Sequence, residues 1–377
     1  MTRTPNQLAA LASAAIPGLK PVATGALLDD PGAGIDSAIV QDDAGRSWLA
    51  RAGSSPTSAV ALDAGAAAAA VLARRIGVTV PVSQGTVSLP DGGRVHVQRV
   101  IAGRELQLAG LEPEHPLAPR LGELLARIHN LDPDLLEDAG LESYTPDEYR
   151  QRRLTELDRA AATGRVPAAL LTRWEEALEN VALWQWVPVP VHGGLEGRHV
   201  LLTEDAEGAA TIHGVVGWRR AKVADPADDF AGLIREAAPA AVIAVAKAYA
   251  RARTTRPDRH LLTRAQLFAE LGYVTDLIDA IAAGYPQVVA LATDRLHELA
   301  DEVSEIPLIP SGRAAGSTTG PTTGSARSSA DSSPQQQTSG AEPGPAITEP
   351  VRLGGQPGEP DSSAARASSS AWDATSG

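Results

Sequence analysis

The side chains that could do chemistry are concentrated in one stretch of the chain, residues 191–230. Its pattern predicts an apolar strand, a tight glycine turn, a second apolar run, an acidic hairpin tip and a third strand. The turn carries His192, Glu196 and His199, whose imidazole and carboxylate groups can exchange protons or bind metal ions. Because loops between strands often carry function, this turn is the first candidate for a site.

The turn resembles the catalytic loop of the aminoglycoside and macrolide phosphotransferase family, small-molecule kinases in which this loop reads roughly HGDLHPGNVL. His192 and Gly193 match the first two residues of that motif. Gly194 stands where the family has its catalytic Asp. Glu196 stands at the position of the loop His, and His199 at the Asn that helps to hold magnesium.

A second motif of that family is a metal loop that reads roughly GVIDWEDARVGDPAxDLA. Gly217 stands at its metal-binding Asp, and Trp218 matches the next residue. The resemblance gives Asp225 a helix-capping role and makes Asp229 the residue that ties this helix to the catalytic loop. An acidic metal cluster over residues 225–229 is the alternative, but Asp and Pro at a helix start are what capping chemistry predicts.

Glycine at the two key positions removes the groups on which phosphoryl transfer depends. The reaction needs a carboxylate that orients the attacking hydroxyl and metal ions that neutralise the transferring phosphate. A general base is typically worth about 10²–10⁴ in rate, and metal stabilisation several kcal/mol more, so the change at Gly217 is the heavier loss. Glu196, close to Gly194 in sequence, is the candidate for a substitute base.

The first part of the chain matches the small lobe of the family. Residues 37–51 predict a hairpin, and Arg51 falls at the strand-end cation that touches nucleotide phosphates in the family, although an ordinary surface arginine is the alternative. The alanine-rich residues 58–76 predict a helix, in which Gly65 stands about where a Glu usually pairs with that cation. Three glycines that lack the GxGxxG spacing form either a loop over phosphates or ordinary turns: Gly25, Gly32 and Gly34.

Residues 94–106 alternate as a strand before a glycine and resemble the hinge between the two lobes. Backbone groups from Gln98 to Val100 would then meet an adenine. An edge strand with a polar face explains His96 and Gln98 equally well. The resemblance implies ATP or GTP with magnesium as the cofactor. The replacement of the family's metal-binding residues at His199 and Gly217 argues against the binding of this cofactor.

The rest of the body predicts a larger, mainly helical lobe. His129, near the end of one of its helices, corresponds to a histidine common in the family, and a purely structural histidine is the alternative. Apolar residues recur at helical spacing in residues 121–131, 146–181, 239–251, 263–283 and 291–303.

The predicted fold class is α+β, a two-lobed protein-kinase-like fold with a disordered tail. Residues 1–103 form the small lobe, residues 104–310 the larger lobe, and residues 311–377 the tail, which is rich in Ser, Gly and Pro and has no periodic apolar positions. The 377 residues, 43% hydrophobic and 21% charged, are enough for such a body.

Composition excludes several classes of protein. The formal net charge of −13 argues against sequence-independent binding to nucleic acid or to an anionic membrane, since both need a basic face. Cysteine is absent, which excludes disulfides and Cys-based metal sites and favours a cytoplasmic location. Residues 8–16 lack the profile of a secretory signal, and residues 237–250 are too short to span a bilayer, so no membrane segment is expected.

Two functions fit these residues. The first is a catalytically impaired pseudokinase that acts by binding a nucleotide, another small molecule or a protein partner, as the joint changes at Gly194, His199 and Gly217 indicate. The second is an active small-molecule phosphotransferase that moves the terminal phosphate of ATP or GTP to a hydroxyl with a substitute carboxylate such as Glu196. The matching frame residues support the second only indirectly, because a scaffold can outlive its reaction.

Overall fold

The structure is a computed structural model that describes residues 3–27, 34–90 and 92–309. The predicted disordered tail, residues 311–377, and Gly32 of the predicted glycine loop lie outside the described residues. Two lobes are present, a β-rich first part and a mainly helical second part.

The first part is built on a five-stranded antiparallel sheet with the strand order β1-β2-β3-β5-β4. Helix α1 (Pro5–Ala15) packs on one face of this sheet, and helix α2 (Pro56–Leu72) contacts β3 and β5. Each helix starts with a proline after a Thr or Ser cap, a combination that favours helix initiation. The strands are β1 (Pro21–Ala26), β2 (Ile35–Asp42), β3 (Ser47–Gly53), β4 (Ser83–Ser88) and β5 (Arg94–Arg99).

The predicted hairpin is formed by β2 and β3, with Ser37 opposite Arg51. Its turn is held by the buried carboxylate of Asp42, which accepts hydrogen bonds from the backbone of Arg46 at 2.8 Å and from Trp48 Nε1 at 2.9 Å. The Asp in the turn therefore fixes the register that places Arg51 near the end of β3.

The two faces of the sheet differ in chemistry. The face toward α1 is apolar and forms a small core that includes Leu8, Trp48 and Val97. The opposite face of β5 carries His96 and Gln98. The edge-strand interpretation of this segment is wrong, because β5 lies between β3 and β4, and its polar side chains face a cleft.

The larger lobe surrounds two small sheets with helices. Strand β7 (Val189–Val191) pairs with β10 (Lys222–Ala224), and β8 (Val200–Glu204) lies between β6 (Arg104–Glu105) and β9 (Ala210–Val215). The helices are α3 (Leu117–His129), α4 (Asp134–Glu137), α5 (Pro146–Ala162), α6 (Ala168–Glu179), α7 (Asp228–Glu236), α8 (Pro239–Ala252), α9 (Leu261–Ala283) and α10 (Pro286–Val303). Within the described part of the chain, no helix is both long and apolar enough to cross a membrane.

Helix α2 joins the two lobes through its buried residues. Ala68 and Leu72 of α2, with Ile76 just after the helix, belong to the same apolar core as Leu121 of α3 and Phe230 of α7, not to the small core under α1. Packing therefore ties α2 to the larger lobe, although the chain passes through it between two strands of the small lobe.

Candidate site between the lobes

The loop between β7 and β8, residues 192–199, is fixed by one buried carboxylate. Asp229 Oδ2 accepts hydrogen bonds from the backbone N–H of His192 at 2.8 Å and from Nε2 of His129 at 3.0 Å. Its Oδ1 accepts from the amides of Gly193 at 2.8 Å and Gly194 at 3.0 Å. Burial alone would raise the pKa of Asp229, but the bonds from His129 and the loop hold that pKa well below its usual range. The carboxylate is therefore an ionised anchor for the loop of residues 192–199.

His129 is a structural group. It is 1% exposed, and its Nδ1 shares a hydrogen bond of 2.9 Å with the hydroxyl of Tyr249. Both nitrogens are thus occupied inside the core. Tyr249 in α8 was not recognised from the sequence as a partner of this site, because nothing in local spacing pairs two helices so distant along the chain.

The three aspartates of residues 225–229 have separate partners. Asp225 receives two hydrogen bonds from Arg264 of α9, at 2.6 and 3.0 Å, and a third from the backbone of Ala227 at 2.9 Å. Asp228 pairs with Lys222 at 2.9 Å and with Arg153 at 3.0 Å. Asp225 therefore binds the backbone at the start of α7 once and α9 twice. The helix-capping role expected for Asp225 did not include the link to α9.

A second loop, residues 216–221 between β9 and β10, packs against the first. His192 Nε2 donates to the carbonyl of Val216 at 2.8 Å, and Val216 N donates to the carbonyl of His199 at 2.9 Å. Trp218 is buried, donates from Nε1 to Val215 O at 2.9 Å, and lies with its ring 4.8 Å from that of His192. These contacts bring the catalytic-loop and metal-loop positions together.

The position of the catalytic Asp is open. Gly194 has φ +125°, and apart from its two chain neighbours no heavy atom of the described residues lies within 4 Å of the place that a Cβ would take. The Glu196 side chain does not fill this space. Its carboxylate pairs with Arg198 at 2.7 Å, and its Cγ would lie 2.8 Å from a Cβ at Gly232 of α7. Glu196, the candidate substitute base, therefore lies beside α7 and not at the position of the family's catalytic Asp.

The position of the metal-binding Asp is filled by a histidine ring. Gly217 has φ +90°, and a Cβ there would lie only 2.4 Å from Cδ2 and 2.9 Å from Nε2 of His199. The ring is held in place, because Nδ1 accepts a hydrogen bond of 3.1 Å from Glu196 N and the ring centroid lies 4.8 Å from that of His192. Only glycine at position 217 is compatible with this arrangement.

The same ring is unsuited to hold magnesium. Burial, together with His192 and nearby arginines, lowers the pKa of His199 to about 2, so the imidazole is neutral at pH 7. With Nδ1 accepting a hydrogen bond, Nε2 carries the proton and has no lone pair for a metal. Magnesium prefers oxygen ligands, and the described residues contain no group of three or more His, Cys, Asp or Glu side chains that could hold a metal ion. The residues present do not fit the ion.

The cleft between the lobes brings together several positions predicted from the sequence. Arg51 and Gln98 line a cavity of about 40 Å³, together with Gly65 of α2 and Gly217 of the metal loop. Val100 is different: its backbone N–H donates to Ser47 O at 3.1 Å, so this amide is not available to an adenine. Small-molecule sites typically measure about 300–1,000 Å³, and this cavity is far smaller than a nucleotide.

An ion pair between strand and helix is present, but at positions that the sequence did not reveal. Asp63 of α2 accepts a hydrogen bond of 2.7 Å from His96 Nε2 and pairs with Arg94 at 3.2 Å. Gly65 makes no such pair. A Cβ there would lie 3.1 Å from the Cα of Arg219, so glycine lets α2 approach the metal loop closely.

Comparison with known proteins identifies the family of this chain. The model of the phosphotransferase enzyme family, APH, matches residues 9–263. The chain belongs to this family. The uncharacterized protein YcbJ of Bacillus subtilis (strain 168) is 27% identical over 231 residues, which are 56% of this chain and 71% of that protein.

Solved structures of APH-type enzymes share the fold. The apoenzyme of macrolide 2'-phosphotransferase MphH from Brachybacterium faecium has a TM-score of 0.62 and 22% identity, over 77% of this chain and 97% of that one. The GDP and kanamycin complex of APH(2")-IIIa has a TM-score of 0.66 and 17% identity, over 77% and 96%. The predicted two-lobed kinase-like fold is confirmed.

Proposed function

We propose that this APH-family protein is a catalytically impaired pseudokinase that acts by binding a small molecule or a protein partner. One observation carries the proposal: the His199 ring occupies the space that a metal-binding carboxylate at position 217 would need. A family enzyme with this arrangement has no oxygen ligand at the position where the charge of a transferring phosphate is neutralised.

The other two changes act in the same direction. At Gly194 the described residues leave open space where the family has its base, and the ring of His199 presents an N–H where the family has an amide oxygen. Base and metal work as a unit in such reactions, so losses at both are not repaired independently. ATP or GTP with magnesium is therefore not expected to bind as it does in the active relatives.

The second candidate is an active phosphotransferase with a substitute carboxylate. The ordered loop frame around Asp229 favours it, because the backbone that would carry a base donates three hydrogen bonds to that carboxylate, which His129 also binds. Glu196 is the nearest acidic residue in sequence, but its ion pair with Arg198 engages its carboxylate elsewhere. We therefore prefer the pseudokinase.

Turnover assays test this choice. We expect no phosphate transfer above the buffer rate when the full chain is incubated with magnesium, ATP or GTP and hydroxyl acceptors that include a macrolide and an aminoglycoside. Gly194→Asp alone should stay inactive, whereas Gly194→Asp combined with Gly217→Asp and His199→Asn should gain activity. Wild-type turnover that is lost in Glu196→Ala would establish the second candidate instead.

A further inference from the structure

A groove lies between helix α6 and the segment that follows α10, and we refer to it as the α6–α10 groove. Its volume is about 370 Å³, within the range of about 300–1,000 Å³ that is typical of ligand sites. Residues of α6, the end of α10 and residues 304–309 line it. No residue of the loops 192–199 and 216–221 contributes to the lining, so the groove is distinct from the candidate site.

The α6–α10 groove combines apolar surface with exposed acidic groups. Leu170, Val303 and Leu308 are buried members of the larger core that contribute to its lining. Glu176 and Glu305 also line the groove, and both are exposed to solvent. A ligand that fits this surface therefore carries apolar groups and a positive charge.

The arginine of the groove does not change the sign of its charge. Arg173 donates to both carboxylate oxygens of the buried Glu270, each at 2.9 Å, and to the carbonyl of Ile306. Its charge is thus matched inside the protein by a carboxylate that is not exposed. The charge that the groove presents to solvent is negative, because it comes from Glu176 and Glu305.

The described part of the chain ends in this groove. Residues 306–309 belong to its lining, and the bond from Arg173 to the carbonyl of Ile306 holds them against α6. Residues 310–377, which lie outside the described residues, therefore begin at the groove. Residues 310–350 are long enough to turn back to it, because an extended chain spans about 3.3 Å per residue. A tethered segment needs little intrinsic affinity, since its effective concentration is on the order of millimolar.

Large apolar side chains are rare in residues 310–377. There are four, and they are Ile347, Val351, Leu353 and Trp372. The run Val351-Arg352-Leu353 places a cation between two of them. In an extended chain the two apolar side chains face one side and the arginine faces the other. Trp372 is followed by Asp373, whose charge the acidic groove repels.

We propose that residues 351–353 dock in the α6–α10 groove of the same chain. Val351 and Leu353 cover the apolar part of the groove, and burial of their side chains drives the contact. Arg352 lies at the exposed carboxylates of Glu176 and Glu305, and this complementary charge selects residues 351–353 over the segment around Trp372. The inference does not depend on whether the protein transfers phosphate.

Disulfide trapping in the full chain tests the contact, because the protein has no cysteine of its own. Ala169→Cys places a thiol at an exposed position of α6 in the groove, and Gly354→Cys places one directly after the docking segment. A disulfide forms only where the two Cα atoms come within about 7 Å of each other. We therefore expect this pair to form a disulfide within one chain under mild oxidation, followed by non-reducing electrophoresis and mass spectrometry.

Two further cysteine pairs provide the comparison. Ala169→Cys with Ala371→Cys joins the groove to the segment around Trp372. Ala70→Cys with Gly354→Cys joins the docking segment to an exposed position of α2. The pair Ala169→Cys and Gly354→Cys should react at least tenfold faster than either.

Charge exchange in this pair tests the role of Arg352. Arg352→Glu should slow the disulfide about threefold or more, since an exposed ion pair becomes a repulsion. Glu176→Lys together with Glu305→Lys should slow it similarly, and Arg352→Glu in that background should restore the rate. The same tail substitution in the Ala70→Cys, Gly354→Cys pair corrects for any effect on the reactivity of the thiol itself.

The apolar contribution is tested in the same way. Val351→Ser together with Leu353→Ser should slow the disulfide about tenfold or more, to the rate of the comparison pairs, because the apolar area that drives docking is removed. Equal rates for all three cysteine pairs would overturn the inference, and so would a rate that does not respond to the exchange of charge. A disulfide that joins two chains at low protein concentration would also overturn it, because the segment would then bind a second copy.

Discussion

At the scale of single residues, Gly217 and His199 form a coupled pair. Their geometry allows a side chain at one position only if the other is small, because a Cβ at 217 would contact the ring at 2.4 Å. The two positions are eighteen residues apart in sequence, and neither substitution alone would reveal the dependence. In this structure the glycine at 217 and the imidazole at 199 therefore depend on each other.

Gly217→Asp should therefore destabilise the protein by about 1–3 kcal/mol, through overlap with the ring and through a positive φ that disfavours side chains. The same substitution in a His199→Asn background should cost at least about 0.5 kcal/mol less, since the smaller side chain relieves the overlap. Urea unfolding of the wild type, both single variants and the double variant measures this coupling. Strictly additive free energies would show that the ring and the loop do not compete for space.

The carboxylate of Asp229 gives a second prediction, on stability against pH. Its pKa is lowered in the folded protein, so its contribution is fully present above the unfolded value of about 4 and is lost as pH falls through the folded value. Asp229→Asn should cost about 2–4 kcal/mol at pH 7, because the loop amides and His129 lose a charged acceptor.

The difference between wild type and Asp229→Asn should shrink as the pH is lowered below about 4. Denaturant unfolding across pH 3–7 measures it. Asp158→Asn, on the exposed side of α5, is the control and should change stability little at any pH. A pH-independent difference for Asp229→Asn would mean that its charge does not hold the loop.

At the scale of elements, the position of α2 decides the size of the cleft. The helix touches the backbone of the metal loop at Gly65 and is tied to β5 through Asp63 and His96. The sequence correctly predicted the helix and marked Gly65 as unusual. It did not show that the glycine serves a close contact, because the partner, Arg219, is distant along the chain.

Gly65→Glu should destabilise the protein by about 1–3 kcal/mol even though glycine is a poor helix former, since the new side chain meets the loop backbone. Ala70→Glu, on the exposed side of the same helix, should have little effect. Thermal or urea unfolding compares the two. Equal stability of the two variants would mean that α2 moves away from the loop without cost.

At the scale of the whole molecule, the two apolar cores do not follow the order of the chain. The small core joins α1 to the sheet, and the larger core joins α2 to the helical lobe. The larger core buries far more side chains, so it should open last.

Hydrogen exchange should therefore show protection of α2 amides that matches α3 and α7, with β1, β2 and α1 exchanging earlier. The physical reason is that local opening follows the apolar contacts that it breaks, whatever the position in the chain. Mass-spectrometric exchange on the full chain resolves these segments. Exchange of α2 together with β3 and β5 would show instead that the small lobe opens as one unit.

The sequence by itself determined the family, the two-lobed fold and the positions at which the family's motif residues are replaced, because motif order, turn residues and helical periodicity are local properties. It correctly predicted the β2–β3 hairpin and the helices of the larger lobe other than the short α4. Only the tertiary structure decided that His199 fills the space at Gly217, that Asp63 rather than residue 65 bridges helix and strand, and that the amide of Val100 is already engaged. These features depend on contacts between segments distant in the chain, which no local pattern of residues records.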